Sequence, residues 1–428
     1  MTVVVILAVL VVLGVPLFAI IATSALYGFS SIDIDLSVIA IEIYRIADTP
    51  VLLAIPLFTL AGYILGESKA SERLVRVTDA MLGWFPGGLA IVSLFACAFF
   101  TALTGASGAT IIALGAILYP AMKQAGYAEK FNLGLITSSG SLGLLFPPSI
   151  ALILYGVIAQ QMDIGENVAI DDLFIAGLLP GLFMLVLLTA WSMYKSTGMH
   201  IQRAEFNWHR LVSALRESIW ELPMPFVLVG GIYTGYFAIS EAAAVAVLYV
   251  LIVEVVILRE VPLKKLPEIM RDSMVLVGGV LIILAVSLAS TNYLIDTEVP
   301  TRLFEFVKEH IDSKLTFLIL LNIFLLMLGM ILDVFSALVI MVPLILPMAV
   351  GYGINPIHLG IIFLANMQIG YFTPPVGMNL FIASYRFRKP VTELYASTIP
   401  FMFILMAAVL VITYWPELTL YLVENRAK

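Results

Sequence analysis

Long apolar runs separated by short polar stretches fill almost the whole chain. They cover residues 3–29, 50–66, 87–104, 109–122, 131–159, 173–194, 222–238, 242–258, 274–293, 315–330, 336–350, 356–385 and 394–421. A hydrocarbon core about 30 Å thick is crossed by roughly 20 helical residues, so most of these runs predict membrane spans. Stretches 33–48, 69–82 and 263–271 mix charged and apolar residues at helical spacing, which predicts helices lying along the membrane interface. Run 131–159 is broken near Pro147 and run 356–385 at Pro374.

The breaks keep register. In the first part of the chain Thr104-Gly105-Ala106-Ser107-Gly108 interrupts an apolar run, followed by Pro120, Gly126, Gly143 and Pro147-Pro148. In the second, residues 329–336 interrupt another, followed by Pro347, Gly353, Gly370 and Pro374-Pro375, each 227 positions after its counterpart. Helix-breaking residues that hold one offset over such a distance predict a duplicated structural unit.

Composition narrows the class. With 61% hydrophobic and 12% charged residues and a mean hydropathy of +1.06, the sequence is that of a polytopic membrane protein. The first run is too long, and lacks the basic flank, for a secretory signal, so it reads as a retained helix. The single Cys97 excludes a disulfide framework or a thiolate metal site. Net charge is −7, but its distribution is more informative. Alternating the loops between two sides gathers 16 of the 22 Lys and Arg on one of them, and puts acidic stretches such as Asp163-Glu166-Asp171-Asp172 and Asp296-Glu298-Glu305-Glu309-Asp312 on the other. The positive-inside rule then makes the basic side and the N-terminus cytoplasmic and the C-terminus external.

That assignment requires 87–122 to enter and leave from the cytoplasmic face, and 315–350 from the outer face. Residues 109–122, 14 in number, reach about 21 Å at 1.5 Å per residue, short of a bilayer. Both segments therefore read as re-entrant hairpins entering from opposite faces, with tips near the midplane. The fold class expected is an all-α polytopic membrane protein with an inverted structural repeat, two opposed re-entrant helical hairpins and two discontinuous helices. Its expected units are 1–86 and 196–314, scaffold helices with arms, and 87–195 and 315–428, each a hairpin, a broken helix and a closing helix.

A helix that stops inside the membrane leaves backbone groups that lipid cannot satisfy. Carbonyl ends suit Na⁺ and amide ends suit an anion, as in inverted-repeat transporters. Hydroxyl and amide side chains cluster at the breaks: Thr104, Ser107, Thr110, Ser138, Ser139, Ser141, Ser149, Ser336 and Thr373, with Asn366, Gln368 and Asn379. Small residues at such places also serve helix packing. Asp333 is the carboxylate at a break, and two readings stand: a functional intramembrane acid, or a cap for the following helix through Ser336 and nearby amides. Glu241 reads as a cap and Glu254 as an interfacial residue. No Lys or Arg falls in the expected membrane core, and His200, His209, His310 and His358 map to loops or helix ends, where solvated imidazoles are expected.

The run Gly353-Ile354-Asn355-Pro356-Ile357-His358-Leu359-Gly360, then Asn366, then Ile369-Gly370-Tyr371-Phe372-Thr373-Pro374-Pro375-Val376-Gly377-Met378-Asn379-Leu380 resembles the large membrane (M) subunit of tripartite ATP-independent periplasmic, or TRAP, transporters. Gly134-Leu135-Ile136-Thr137-Ser138-Ser139-Gly140-Ser141 through Pro147-Pro148-Ser149 is similar to the matching first-half stretch. The resemblance covers essentially the whole chain. It implies Na⁺-driven uptake of a small organic anion, often a carboxylate, in a bacterial inner membrane. A periplasmic binding protein would deliver the anion, a small membrane (Q) subunit on a separate chain would complete the permease, and the motion would be elevator-like. It places one Na⁺ site on Ser107 with backbone near Gly143, Pro147 and Ser149, and another on Gly329, Asp333, Gly370, Thr373 and Val376. Thr104, Gly108, Thr110, Ser139, Ser336, Asn366, Pro374 and Asn379 are left as candidates for the substrate. A stand-alone Na⁺/dicarboxylate transporter would share the topology. A membrane-embedded enzyme needs paired carboxylates or metal-spaced ligands, which the sequence does not supply, so no catalytic residue is expected.

Overall fold

The computed structural model describes residues 6–7, 9–10, 12–32, 34–162, 168–199, 201 and 205–426. Of the positions named above, Val3 at the start of the first run, Asp33, Asp163, Glu166 and His200 lie outside the described residues. The first half runs α1 (Leu17–Ser31), α2 (Ser37–Ala47), a 3-10 turn (Pro50–Leu53) leading into α3 (Ala54–Glu67), and α4 (Ala70–Leu82). Then come α5 (Gly88–Thr104), α6 (Ser107–Gln124), α7 (Glu129–Ser139), a 3-10 turn (Leu142–Leu145), α8 (Ile150–Gln161) and α9 (Ile170–Ser196). Helix α10 (Trp208–Glu217) links the halves. The second half holds α11 (Pro223–Tyr233), α12 (Ile239–Val250) with a π-helical continuation (Leu251–Ile257), α13 (Leu266–Asp296) and α14 (Val299–His310). It closes with α15 (Lys314–Ile331), α16 (Val334–Gly351), α17 (Pro356–Gly370), α18 (Met378–Phe387), α19 (Val391–Tyr414) and α20 (Glu417–Arg426).

The duplication seen in the punctuation is structural. Helices α6 and α16 are both 18 residues long and start and end 227 positions apart. The Pro147-Pro148 and Pro374-Pro375 bonds are both cis, and Gly126 and Gly353, which follow the two helices, both have positive φ. Local chemistry sets the starts: Ser149 caps α8 by accepting from the Leu152 N–H, Asp333 caps α16, and Asn355 caps α17 ahead of Pro356.

Several boundaries differ from the sequence reading. The acidic stretch 296–312 is not a loop but contains α14, the counterpart of α4. Stretch 263–271 is no separate interfacial helix, because from Leu266 on it is the first two turns of the 31-residue α13. Run 222–238 contains only the 11-residue α11, too short to span alone. Run 3–29 is divided at Pro16, and run 394–421 at Trp415-Pro416. Helix α6 is longer than the 14 residues expected, since it starts two residues earlier, at Ser107, and ends two later, at Gln124. At 18 residues it is about 27 Å long, so length alone does not make it re-entrant.

The tips do. The pair Glu129–Leu145 and Ile150–Gln161 is bent by 42° and together is long enough to span. Its break lies halfway along. The α5–α6 tip stands at that level, because a Cβ on Gly105 would sit 2.6 Å from Ile150 Cδ1. The α15–α16 tip stands at the other break, with the Val334 N–H donating to Tyr371 Oη (2.5 Å) and the Gly377 N–H to the Met330 carbonyl (3.0 Å). Both hairpins therefore end midway through the layer that the broken spans cross.

The packing is crossed between halves: α6 lies on α18, and α16 lies on α8. Ser141 donates to the Gln368 carbonyl at 2.8 Å, a contact between two equivalent positions of the repeat, so the pseudo-twofold axis passes beside it. Around this block α13 packs on α1, α2 and α3, and α12 packs on α3.

Candidate functional site

The first hairpin closes over its own half's break. Thr101 Oγ1 donates to the Gly140 carbonyl (2.8 Å), and Thr110 Oγ1 lies 2.6 Å from Thr101 Oγ1 and 3.3 Å from the Ala106 carbonyl. Four oxygens thus converge behind the tip, none of them charged, with Thr101, Thr110 and Gly140 buried and Ala106 half-buried. The close fit depends on glycine: a Cβ on Gly143 would stand 2.3 Å from the Ala98 carbonyl oxygen and 2.4 Å from Ala102 N. Thr104 donates to the Phe100 carbonyl (2.9 Å) and faces the scaffold, where a Cβ on Gly62 would come 2.5 Å from Thr104 Cα.

The tip then reaches the other half. Ser107 Oγ donates to Asn379 Oδ1 at 2.9 Å, and Gly108 lies under Ile382 of α18. Asn379 is wholly buried, and its Nδ2 has no hydrogen-bond partner among the described residues. A buried amide donor left open in this way is a costly arrangement unless a polar guest meets it.

The second break mirrors the first. Gly370 stands where a Cβ would come 2.6 Å from both Cα and C of Gly329, which occupies the position of Ala102 in the repeat. The Tyr371 and Thr373 carbonyl oxygens and Leu380 Cδ1 each lie 2.9 Å from the place a Cβ on Gly377 would fill, so both carbonyls crowd that glycine, and the Tyr371 carbonyl also accepts from the Asn379 N–H (2.8 Å). Thr373 Oγ1 donates to the Ile369 carbonyl (2.8 Å), Pro374 belongs to the cis pair, and the Tyr395 hydroxyl donates to the Pro375 carbonyl. Val376 is 41% exposed beside them.

Other candidates are committed to local structure. Asp333 accepts from the Phe335 and Ser336 N–H groups at 3.0 Å each and from Ser336 Oγ at 2.5 Å, the capping arrangement. Ser149 donates to the Leu144 carbonyl (2.6 Å), Ser139 donates to the Ile136 carbonyl (3.3 Å), and Pro147 lines a lipid-like apolar cavity with Phe95, Phe99 and Phe146. Asn366 lies away from the tips: its Nδ2 donates to Asn322 Oδ1 (2.7 Å), which also accepts from Thr413 Oγ1 (3.1 Å). Glu241 caps α12 by accepting from the Ala238 N–H at 2.9 Å. His358 departs from expectation. It is buried, not solvated, with Nδ1 at 2.7 Å from Thr419 Oγ1 and Nε2 at 3.2 Å from the Thr413 carbonyl oxygen. The sequence reading also passed over Thr101, whose signal was its place one turn before the tip glycine.

The site therefore offers hydroxyl and carbonyl oxygens, a free amide donor and no basic side chain. Among the described residues no group of three His, Cys, Asp or Glu could hold a metal ion. Oxygen-rich, weakly charged surroundings fit a hard monovalent cation that must bind and still leave.

A model of the family described as "Tripartite ATP-independent periplasmic transporter, DctM component" matches residues 4–418. The C4-dicarboxylate TRAP transporter large permease protein DctM of Rhodobacter capsulatus is 32% identical over 404 residues, covering 92% of this chain and 91% of that one. The ectoine TRAP transporter large permease protein TeaC of Halomonas elongata is 30% identical, with 96% of each chain covered. The isethionate TRAP transporter permease protein DctMQ of Oleidesulfovibrio alaskensis is 31% identical, with 97% of this chain but only 65% of that one covered. Among solved structures, the YdaH transporter of Alcanivorax borkumensis superimposes with a TM-score of 0.63 at 15% identity, over 89% of this chain and 87% of that one.

Proposed function

Because the chain belongs to the DctM family of tripartite ATP-independent periplasmic transporter components, we propose that it carries a small organic anion inward, driven by Na⁺. The anion would be a carboxylate or a similar acid, in keeping with relatives named for C4-dicarboxylate and isethionate. It would be delivered by a periplasmic binding protein, and the permease completed by a small membrane subunit on a separate chain. The membrane is the bacterial inner membrane, with the N-terminus cytoplasmic and the C-terminus periplasmic.

The observation that carries this reading is the meeting of two opposed hairpin tips with two helix breaks in one buried block. Co-transported Na⁺ would be held in the first half by Thr101, Thr110 and the Ala106 and Gly140 carbonyls, and in the second by the Tyr371 and Thr373 carbonyls. The open Nδ2 of Asn379 is a donor for the substrate, and with no Lys or Arg at hand the cation charge offsets that of the anion. The crossed packing makes α5–α8 and α15–α18 one body, and it meets the scaffold through close, weakly polar contacts such as Gly62 against Thr104 and Ser287 Oγ with the Val339 carbonyl (2.8 Å). That surface suits an elevator motion of the body against α1–α3, α12 and α13.

The test is uptake into proteoliposomes with and without a Na⁺ gradient, the small subunit and candidate binding proteins. Uptake is expected only with all three. Uptake of free substrate without a binding protein would instead make the chain a stand-alone carrier.

A further inference from the structure

A cavity of about 500 Å³ separates α5 and α9 from α11. Ala98 and Phe99 of α5 and Leu178 and Leu182 of α9 form one wall, and Val229 and Tyr233 of α11 form part of the other. Helix α9 packs on α5 and α8, whereas α11 packs on α12, so the two walls belong to the body and to the scaffold. Every lining side chain is apolar apart from the Tyr233 hydroxyl. The volume is in the range of small-molecule sites, about 300–1,000 Å³, and apolar cavities of even about 150 Å³ exclude water. At the rim Leu182 is 47% and Phe226 73% exposed. Leu182 lies midway along α9, a helix of 27 residues long and apolar enough to span the membrane. The cavity therefore opens sideways, into hydrocarbon, and acyl chains are what stands at its mouth.

Its outer end is polar. Tyr233 is the last residue of α11, and its Oη is buried with no hydrogen-bond partner among the described residues. Arg426 of α20 lies over the Tyr233 ring, with Cζ 5.9 Å from the centroid, and donates from Nη2 to the Tyr233 carbonyl (3.1 Å). Its Nη1 stands 2.6 Å from Asp171 Oδ2 and 3.6 Å from Asp172 Oδ1, at the start of α9. All three charged side chains are partly exposed. Going outward, the chain thus presents apolar walls, a buried hydroxyl donor left open, and a guanidinium beside two carboxylates. A buried donor of this kind calls for an acceptor from outside the chain. The one negative charge in excess disfavours an anionic headgroup and suits one that carries an amine.

We propose that this cavity binds one zwitterionic glycerophospholipid with a primary ammonium headgroup, of the phosphatidylethanolamine class. One acyl chain lies between α5, α9 and α11, and an ester carbonyl accepts from the Tyr233 hydroxyl. The phosphate meets Arg426, and the ammonium meets Asp171 and Asp172. Binding as such needs no assumption about transport. That the lipid sits across the surface along which the body slides does rest on the elevator reading.

The experiment is native mass spectrometry of the full-length protein extracted from membranes of mixed phosphatidylethanolamine and phosphatidylglycerol. The wild type is expected to retain one phosphatidylethanolamine. Gly230 lines the cavity, and nothing lies within 4 Å of its Cβ position, so Gly230→Phe fills the space without a backbone clash and should abolish retention. Arg426→Gln should weaken retention about tenfold, the range expected for a lost charge-assisted hydrogen bond. Equal retention in all three proteins, or a preference for phosphatidylglycerol, overturns the proposal. A phosphatidylethanolamine with a photoreactive acyl chain supplies a reading that needs no variant. In the wild type its cross-links should fall on the cavity residues of α5, α9 and α11, and cross-links spread over the exposed faces overturn the proposal. Loss of those cross-links when the small subunit is bound also overturns it, since the cavity is then the seat of a protein helix. None of these readouts depends on uptake, so a failure here is separable from a failure of the transport assignment.

Discussion

Gly370→Ala tests whether the second hairpin and its break are one unit. The added Cβ would lie 2.6 Å from Cα and C of Gly329 and 3.0 Å from its carbonyl oxygen. All three are backbone atoms of α15, so no rotamer change relieves the clash. Carbon atoms prefer separations of about 3.5–4.0 Å, so α15 must retreat by about 1 Å. A shift of that size also stretches the Gly377 N–H bond to the Met330 carbonyl, 3.0 Å in the native chain, past the useful range. Overpacking costs about 1–3 kcal/mol and the lost bond about 1 kcal/mol, while Ala returns about 1 kcal/mol of helix propensity. A net loss of about 1–3 kcal/mol is expected. The assay is thermal unfolding in detergent with Na⁺ exchanged for K⁺ at constant ionic strength. A cation present at a hundred times its Kd stabilises by about 2.7 kcal/mol, and that response should be present in the wild type and weakened in Gly370→Ala. Gly278→Ala is the control, because nothing lies within 4 Å of its Cβ position. If Gly370→Ala unfolds at the wild-type midpoint with the wild-type Na⁺ response, the coupling between hairpin and break is refuted.

Three further outcomes follow from the same geometry. Ser107→Ala, which removes the donor to Asn379, and Thr373→Ala should each weaken the Na⁺ dependence of uptake without unfolding the protein, and unchanged Na⁺ titrations in both would remove them from the site. Tyr371→Phe leaves the buried Val334 N–H without its acceptor and should lower stability by about 1–3 kcal/mol, read by thermal unfolding. Burial pushes the Glu260 carboxyl up, but the Arg73 and Lys69 hydrogen bonds outweigh it and hold it below the usual carboxylate range. Its contribution is present above the unfolded value and lost as pH falls through the folded one, so Glu260→Gln should remove part of the acid sensitivity seen in an unfolding titration.

The repeat was open to reading because prolines and glycines interrupt helices wherever they fall, so Pro147-Pro148 and Pro374-Pro375 mark the same joint twice. The hairpin tips were visible for the same reason. What hydropathy hid was amphipathy and partnership. Stretch 296–312 is charged enough to pass for a loop, although α14 starts 229 and ends 228 positions after α4, within two residues of the repeat offset, and the offset was there to be applied. The 11-residue α11 was hidden because apolar residues continue past its end at Tyr233. Asp333 had two readings that sequence alone left level, and the two N–H groups it accepts from make it a cap. His358 is buried because Thr413 and Thr419 fold back over it from α19 and α20, a tertiary contact with no local signature. Thr101 and Gly140, 39 residues apart, are brought together only by the fold.

The exchange of walls between the two copies also bears on how such a chain can be divided. Severed between α9 and α10, it would yield two fragments, and neither would own the surface on which its returning helix rests. Each fragment would have to find the other within the same bilayer before either could hold its shape. A gene split at that point should therefore restore activity only by complementation, and swapping in one copy from a distant relative should fail unless the matching face of the other copy travels with it.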